Sequence, residues 1–155
     1  MKNHHYKTTI AWTGNEGTGT SAYKAYSRAY EITVEGKPAI PASSDPSFLG
    51  DGTRYNPEEL FLASLSSCHM LWYLHLCSEA GIIVVAYSDN ATGLMIETAD
   101  GGGRFTEVTL YPNVVVNDAS VIDKANALHH EANKKCFIAN SCNFTVLHQA
   151  KCNTY

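Results

Sequence analysis

"NPEELFLASLSSCHMLWYLHLCSEAG", residues 56–81, decides the fold. It opens with the chemistry of a helix start: Asn56 suits the N-cap and Pro57 the first helical position, while Glu58 and Glu59 meet the first-turn N–H groups and the positive end of the dipole. Gly81 supplies the stop. Apolar groups run almost all round between these ends, so the pattern predicts a long central helix buried on most faces. Cys68 stands at its middle, with His69 directly after it.

The flanking segments read as strands and one further helix. KTTIAW (residues 7–12) and YSRAYEITVEG (26–36) have strand character and are joined through the glycine-rich turn GNEGTGT. Residues 37–54 hold three prolines and two glycines, which predicts an irregular loop. After Gly81 come two strand-like runs, residues 82–98 and 105–116, around a glycine turn, which predicts an antiparallel hairpin. Residues 119–136 return to helical spacing, with Ser120 as the expected cap and Val121, Ile122, Ala125, Leu128 and Ala132 on one stripe. NFTVLHQAKC (143–152) closes the chain as a strand. The expected architecture is one α+β domain over residues 1–155, of order β-β-α-β-β-α-β, its long helix packed on an antiparallel sheet.

Composition narrows the class of function. The chain has 155 residues, 45% hydrophobic and 17% charged, an ordinary globular balance that argues against disorder. Eleven Lys and Arg against fifteen Asp and Glu give a net charge of −4, and the basic residues are scattered, so nucleic acid is a poor partner. The start MKNHHYKTTIAW lacks the apolar run of a signal peptide, and no uninterrupted apolar stretch reaches a membrane span. The expectation is a soluble, cytoplasmic protein without a membrane partner.

In that compartment five cysteines, Cys68, Cys77, Cys136, Cys142 and Cys152, point away from a disulfide framework and towards free thiols, packing, metal or redox chemistry. No CxxC pair occurs, so no metal site is expected. A cysteine in an apolar helix is most often packing, yet Ser64, Ser66 and Ser67 give Cys68 space and polarity that a packed position does not need. Cys77 reads as core, and Cys142 and Cys152 as inert. Cys136 ends the second helix, where the negative end of the dipole disfavours a thiolate; it suits a second thiol that resolves an oxidised first one. His69 points about 100° away from Cys68 and reads as structural or pocket-lining rather than as that thiol's base. His129 and His130 read as solvated helix face.

NPEELFLASLSSCH, followed some way on by ANKKCFIANS, resembles the OsmC/Ohr family of thiol-dependent hydroperoxide reductases, and the order of strands and helices resembles that family's layout over almost the whole chain. The resemblance implies that Cys68 is peroxidatic and Cys136 resolving, with the family's glutamate at Glu58 and Glu59 beside it. It also implies an arginine that holds the thiolate. Arg28, at the start of the second strand, fits one branch, and Arg54 is the alternative; the other branch's arginine position is occupied here by Phe48 and Leu49. The implied substrate is a small organic hydroperoxide and the implied reductant an external dithiol of lipoyl type, with no bound cofactor. Leu65, Leu71, Trp72 and Phe137 are candidates to line an alkyl pocket.

Helix geometry adds a point independent of the family. Ten residues separate Glu58 from Cys68, about 15 Å along the axis, too far for contact. Either an arginine from another element bridges part of that gap, or Glu58 serves the cysteine of a second copy: two antiparallel copies crossing near Ala63 would bring Glu58 of one towards Cys68 of the other, past the small Ser64 and Ser67. An intertwined homodimer, which the resemblance also implies, is therefore expected. Two other readings keep the fold: a non-catalytic protein binding a small apolar ligand, and another thiol transfer through Cys68 alone.

Overall fold

Asn56 and Glu59 exchange the two hydrogen bonds of a capping box: Glu59 N donates to Asn56 Oδ1 (2.8 Å) and Asn56 N donates to Glu59 Oε2 (3.1 Å). From this start α1 runs over Pro57–Glu79. It ends where Gly81 adopts a φ of 71° and Ile82 N bonds back to Cys77 O at 2.9 Å. The computed structural model describes residues 2–155. They form two compact units, one ending at Leu60 and the other running over Phe61–Tyr155.

The first unit holds β1 (Thr9–Trp12), β2 (Tyr30–Thr33) and β3 (Ile40–Ala42) as an antiparallel sheet in that order. β3 lies inside the stretch expected to be irregular. It pairs with β2 despite Pro41 because an edge strand needs no inward N–H there. Asp45 caps the short 3₁₀ turn that follows, accepting from Ser47 N at 2.8 Å. Ser43 N bonds Tyr55 O at 3.0 Å, which brings the chain back to the start of α1.

In the second unit each expected strand run is broken in two. Residues 82–98 give β4 (Val84–Asp89) and β5 (Thr92–Glu97); residues 105–116 give β6 (Gly103–Leu110) and β7 (Pro112–Val116). The break after β6 falls at Tyr111, whose N–H donates to Asp89 Oδ1 (2.7 Å) instead of to a strand, just before Pro112, which has no N–H. β5 and β6 form the hairpin, turning through Gly101 at a φ of 84°. β4 pairs with β7. The final run gives β8 (Val146–His148), parallel to β6, and β9 (Lys151–Asn153), parallel to β7. The result is two mixed three-stranded sheets, β5-β6-β8 and β4-β7-β9, where an antiparallel sheet was expected.

The second helix, α2, spans Ile122–Lys135. Its entry is capped by Asp118 and not by Ser120: Asp118 Oδ1 accepts from Ser120 N at 2.8 Å, because Ser120 already lies inside the 3₁₀ turn that leads into the helix. Leu65, Val108, Leu110 and Val146 form one buried cluster; Tyr73, Cys77, Ile82, Val114, Val116, Ala125 and Ala132 form the other.

α1 is long and apolar enough, by length and composition, to cross a membrane. In the fold it is an interior helix on one side only. Leu65, His69, Tyr73 and Cys77, spaced by four, are fully buried, whereas Leu71 is 63% exposed. The expectation of burial on most faces therefore fails within one chain.

Candidate active site

Cys68 is half-buried on α1, on the stripe next to the buried one. It opens into a cavity of 320 Å³ whose other walls are Ser64, Ser67, Leu71, Trp72, Phe137 and Ile138. Three of the four residues expected to line an alkyl pocket are thus present. Leu65 is not, because it is turned one stripe away into the core. Trp72 and Phe137 meet edge to face, with ring centroids 5.5 Å apart, which joins α1 to the segment after α2. The serines around Cys68 are bonded to backbone or to Asp89. Ser64 Oγ donates to Phe61 O (2.7 Å), Ser67 Oγ to Ser64 O (3.3 Å), and Ser66 Oγ to Asp89 Oδ2 (2.6 Å) on the opposite side of the helix.

Cys136 follows the last residue of α2 in extended conformation and is 1% exposed. Its thiol lies against Cys68 and accepts a hydrogen bond from Ala139 N at 3.4 Å. Burial pushes this thiol up to about 11; the Ala139 bond pulls the other way, and contact with Cys68 raises it further. Cys136 is therefore a protonated thiol at neutral pH. All five cysteines are unbridged. Cys77 is in the core, as expected. Cys142 and Cys152 are half-buried, and burial raises both thiols.

The candidate carboxylates, Glu58 and Glu59, and the candidate arginines, Arg28 and Arg54, lie in the first unit. Glu58 is half-buried, and its Oε2 is buried with no hydrogen-bond partner. Its charge, after burial, helps to push the Tyr30 phenol up. Glu59 serves the helix cap. The Arg28 guanidinium is enclosed by its own loop: Nη1 donates to Tyr26 O (2.6 Å), Nη2 donates to Tyr23 O, and the two tyrosine rings lie 4.1 and 4.6 Å from its central carbon. Arg54 pairs with Asp51 at 3.4 Å. Among the described residues neither arginine forms an ion pair with Glu58.

The histidines depart most from expectation. His129, expected on a solvated face, is fully buried, as is His69; His130 is exposed as expected. His69 Nε2 and His129 Nδ1 are hydrogen-bonded at 2.9 Å, and the rings are parallel within 4°. His129 also stacks on Tyr73, with centroids 3.8 Å apart, and His148 is tilted against both histidines. Burial, and then neighbouring histidine, hold His69 down at about 4 and His129 at about 3. The signal in the sequence was positional: His129 lies four residues after Ala125 and three before Ala132, on the apolar stripe itself. Among the described residues no three His, Cys, Asp or Glu side chains converge as metal ligands would.

Comparison with known proteins places the fold. The family model described as OsmC-like protein matches residues 50–149. An OsmC-like protein of unknown function from Vibrio cholerae is 31% identical, with 96% of this chain and 100% of that chain covered and a TM-score of 0.86. The organic hydroperoxide resistance protein OhrB of Bacillus subtilis (22% identity, 94% and 98% covered, TM-score 0.64) and one from Legionella pneumophila (19%, 99% and 100%, TM-score 0.68) share the fold. A comparison with curated proteins finds no match. With its α+β architecture of two helices and mixed sheets, matched by a family model over residues 50–149, the chain belongs to the OsmC-like family.

Proposed function

We propose that the protein is a thiol-dependent peroxidase that reduces organic hydroperoxides to alcohols. The observation that carries this reading is the half-buried Cys68 at an apolar cavity with the protonated, buried Cys136 against it. The cavity suits an alkyl or aryl group, and the names of the Bacillus subtilis and Legionella pneumophila proteins support the choice of hydroperoxide.

The cycle has three balanced steps. Cys68 thiolate attacks the terminal peroxide oxygen; an S–O bond forms, the O–O bond breaks, and the alkoxide takes a proton to leave as alcohol. Cys136 then attacks the Cys68 sulfenic acid. The S–S bond forms as the S–O bond breaks, and the Cys136 proton leaves with hydroxide as water. The raised value keeps Cys136 protonated until the sulfenic acid forms; its attack as thiolate then requires that proton to be given up, and the departing hydroxide takes it as water. An external dithiol of lipoyl type reduces the disulfide by two exchanges and leaves oxidised.

Arg28 is the residue we assign to holding the thiolate, with Glu58 as its anchor, because the buried Glu58 Oε2 has no partner. Arg54, bonded to Asp51, is the alternative. We also infer a cytoplasmic homodimer built on α1. The support is the 63% exposure of Leu71 on a helix buried along one stripe only, together with the separation of about 15 Å between Glu58 and Cys68 along that helix.

The test is consumption of cumene hydroperoxide with dihydrolipoamide by wild type, Cys68→Ser and Cys136→Ser proteins. Turnover by wild type alone supports the reading. Wild-type protein that leaves the peroxide untouched overturns it. Arg28→Ala and Arg54→Ala proteins tell the two arginines apart, and sedimentation as a monomer at micromolar concentration would sink the dimer.

A further inference from the structure

We propose that His69 and His129 are positioning residues for disulfide closure: their mutual hydrogen bond holds α1 and α2 at the spacing that puts Cys136 against Cys68, and proton uptake by the pair loosens that spacing. The inference rests on the Cys68–Cys136 closure described above.

Three contacts join α1 to α2 and to the segment just after it. His69 on α1 bonds His129 on α2 at 2.9 Å, Cys136 just after α2 neighbours Cys68 on α1, and Trp72 on α1 meets Phe137 edge to face. On α1 His69 directly follows Cys68, whereas His129 lies seven residues, about two turns, before Cys136, so the two helices cross and do not run alongside one another. The histidine contact, the rung between the two helices proper, is fully buried and polar.

Chemistry makes this rung releasable. The inner nitrogens, His69 Nε2 and His129 Nδ1, share one proton between them. A further proton must go to an outer nitrogen, His69 Nδ1 or His129 Nε2, and both of these are buried without a hydrogen-bond partner. The titratable groups facing the pair are His148 from β8 and Tyr73 from α1. Around these lie His130 on α2, which faces His148, then Tyr87 on β4, Cys77 on α1 and Cys152 on β9, which face Tyr73. No carboxylate is among them. Asp89 on β4 faces Tyr87, but its oxygens bind Ser66 and Tyr111 N. An imidazolium here would be fully buried with no carboxylate beside it among the described residues, so proton uptake favours parting of the pair. The disulfide, which ties the helices covalently, opposes that parting. Proton uptake and disulfide closure therefore compete.

The experiment reads closure as an equilibrium with glutathione, independent of any peroxide. The Cys68–Cys136 disulfide fraction is measured by intact mass after equilibration at pH 7.5 and pH 4.0, in wild type and in a His69→Leu/His129→Leu protein, with circular dichroism to verify that both stay folded. Titration of the thiols is common to both proteins and cancels in their ratio. The expected result is that the effective thiol concentration of the wild type, relative to the variant, falls by about twofold at the lower pH. At pH 7.5 the variant closes less readily than wild type. A ratio unchanged with pH, or a variant that closes as well as wild type at pH 7.5, overturns the proposal.

If the double variant does not fold, His129→Gln, which hydrogen-bonds but does not titrate in this range, replaces it in the pH comparison alone; with the bond kept, its closure at pH 7.5 should match wild type, and its closure should fall less than the wild type's at the lower pH. Histidine NMR titration of the wild type then gives an independent reading, with protonation of the pair suppressed in the disulfide form; equal titration in both redox forms also overturns the proposal. A protein that shows the pH-dependent closure but leaves cumene hydroperoxide untouched would refute the peroxidase reading and leave this one standing.

Discussion

Mild acid should destabilise this protein well before its carboxylates begin to protonate. His69 and His129 are neutral in the native state, held at about 4 and about 3, whereas an unfolded chain returns both to the ordinary value near 6.5. The unfolded state therefore binds more protons than the native state below about pH 6.5, so stability falls as pH falls. Each group contributes a slope of about 1.4 kcal/mol per pH unit once the pH is well below 6.5 and still above its native value. Between pH 7 and pH 5 the two together remove about 4 kcal/mol, a large part of the roughly 5–15 kcal/mol typical of a domain. The acids whose values lie below the ordinary range, Asp45, Asp51, Asp100, Asp118 and Glu131, act only at lower pH and leave this window clear. Urea unfolding at pH 7, 6 and 5, at one protein concentration, measures the loss. The His69→Leu/His129→Leu protein should show a much flatter dependence. Wild-type stability equal at pH 7 and pH 5 would refute the reasoning, as would a variant with the same slope.

Other perturbations follow from the geometry. Cys136→Ser protein treated with one equivalent of cumene hydroperoxide should accumulate a Cys68 sulfenic acid that dimedone traps, whereas wild type should give a disulfide two mass units lighter than the dithiol. Phe137→Ala removes a wall of the Cys68 cavity and the edge-to-face partner of Trp72. It should lower kcat/KM for cumene hydroperoxide by about tenfold, from the loss of about 1.5 kcal/mol of aromatic contact, while Cys68 still reacts with a small alkylating reagent at an unchanged rate. Gly14→Ala should destabilise the first unit by about 1–3 kcal/mol in a thermal melt followed by Trp12 fluorescence. A Cβ at Gly14 would stand 1.9 Å from Ser27 O, which accepts the Trp12 indole bond at 2.8 Å.

The elements with strong local signals were legible. The cap at Asn56, the stop at Gly81 and the length of α1 follow from backbone chemistry within a few residues, and α1 and α2 lie where their periodicity put them. What was not legible depends on contacts between distant residues. Nothing near Tyr111 in sequence reveals that Asp89 will take its N–H and divide each long run between two sheets. The parallel pairing of β8 and β9 is likewise set by partners some forty residues away. At the candidate site, the motif around Cys68 and Cys136 could be read, and so could most of the apolar wall. The burial of His129 was masked by polarity, since a histidine on an apolar stripe reads as a break in the stripe until its partner His69 is found across the helix pair.

The two short parallel strands at the end of the chain also set an order of events during synthesis. Until residues 146–153 leave the ribosome, each sheet of the second unit has two strands, and β6 and β7 each present an open edge. Val146 completes the cluster of Leu65, Val108 and Leu110, and Cys152 packs against the other. Both cores therefore close in one late step that joins partners far apart in sequence, a step that is slow relative to local helix formation. A nascent chain paused before Val146 would carry Cys68 on one helix and Cys136 just beyond the other with neither sheet complete, the stage at which chaperone binding and wrong disulfides compete with the native fold.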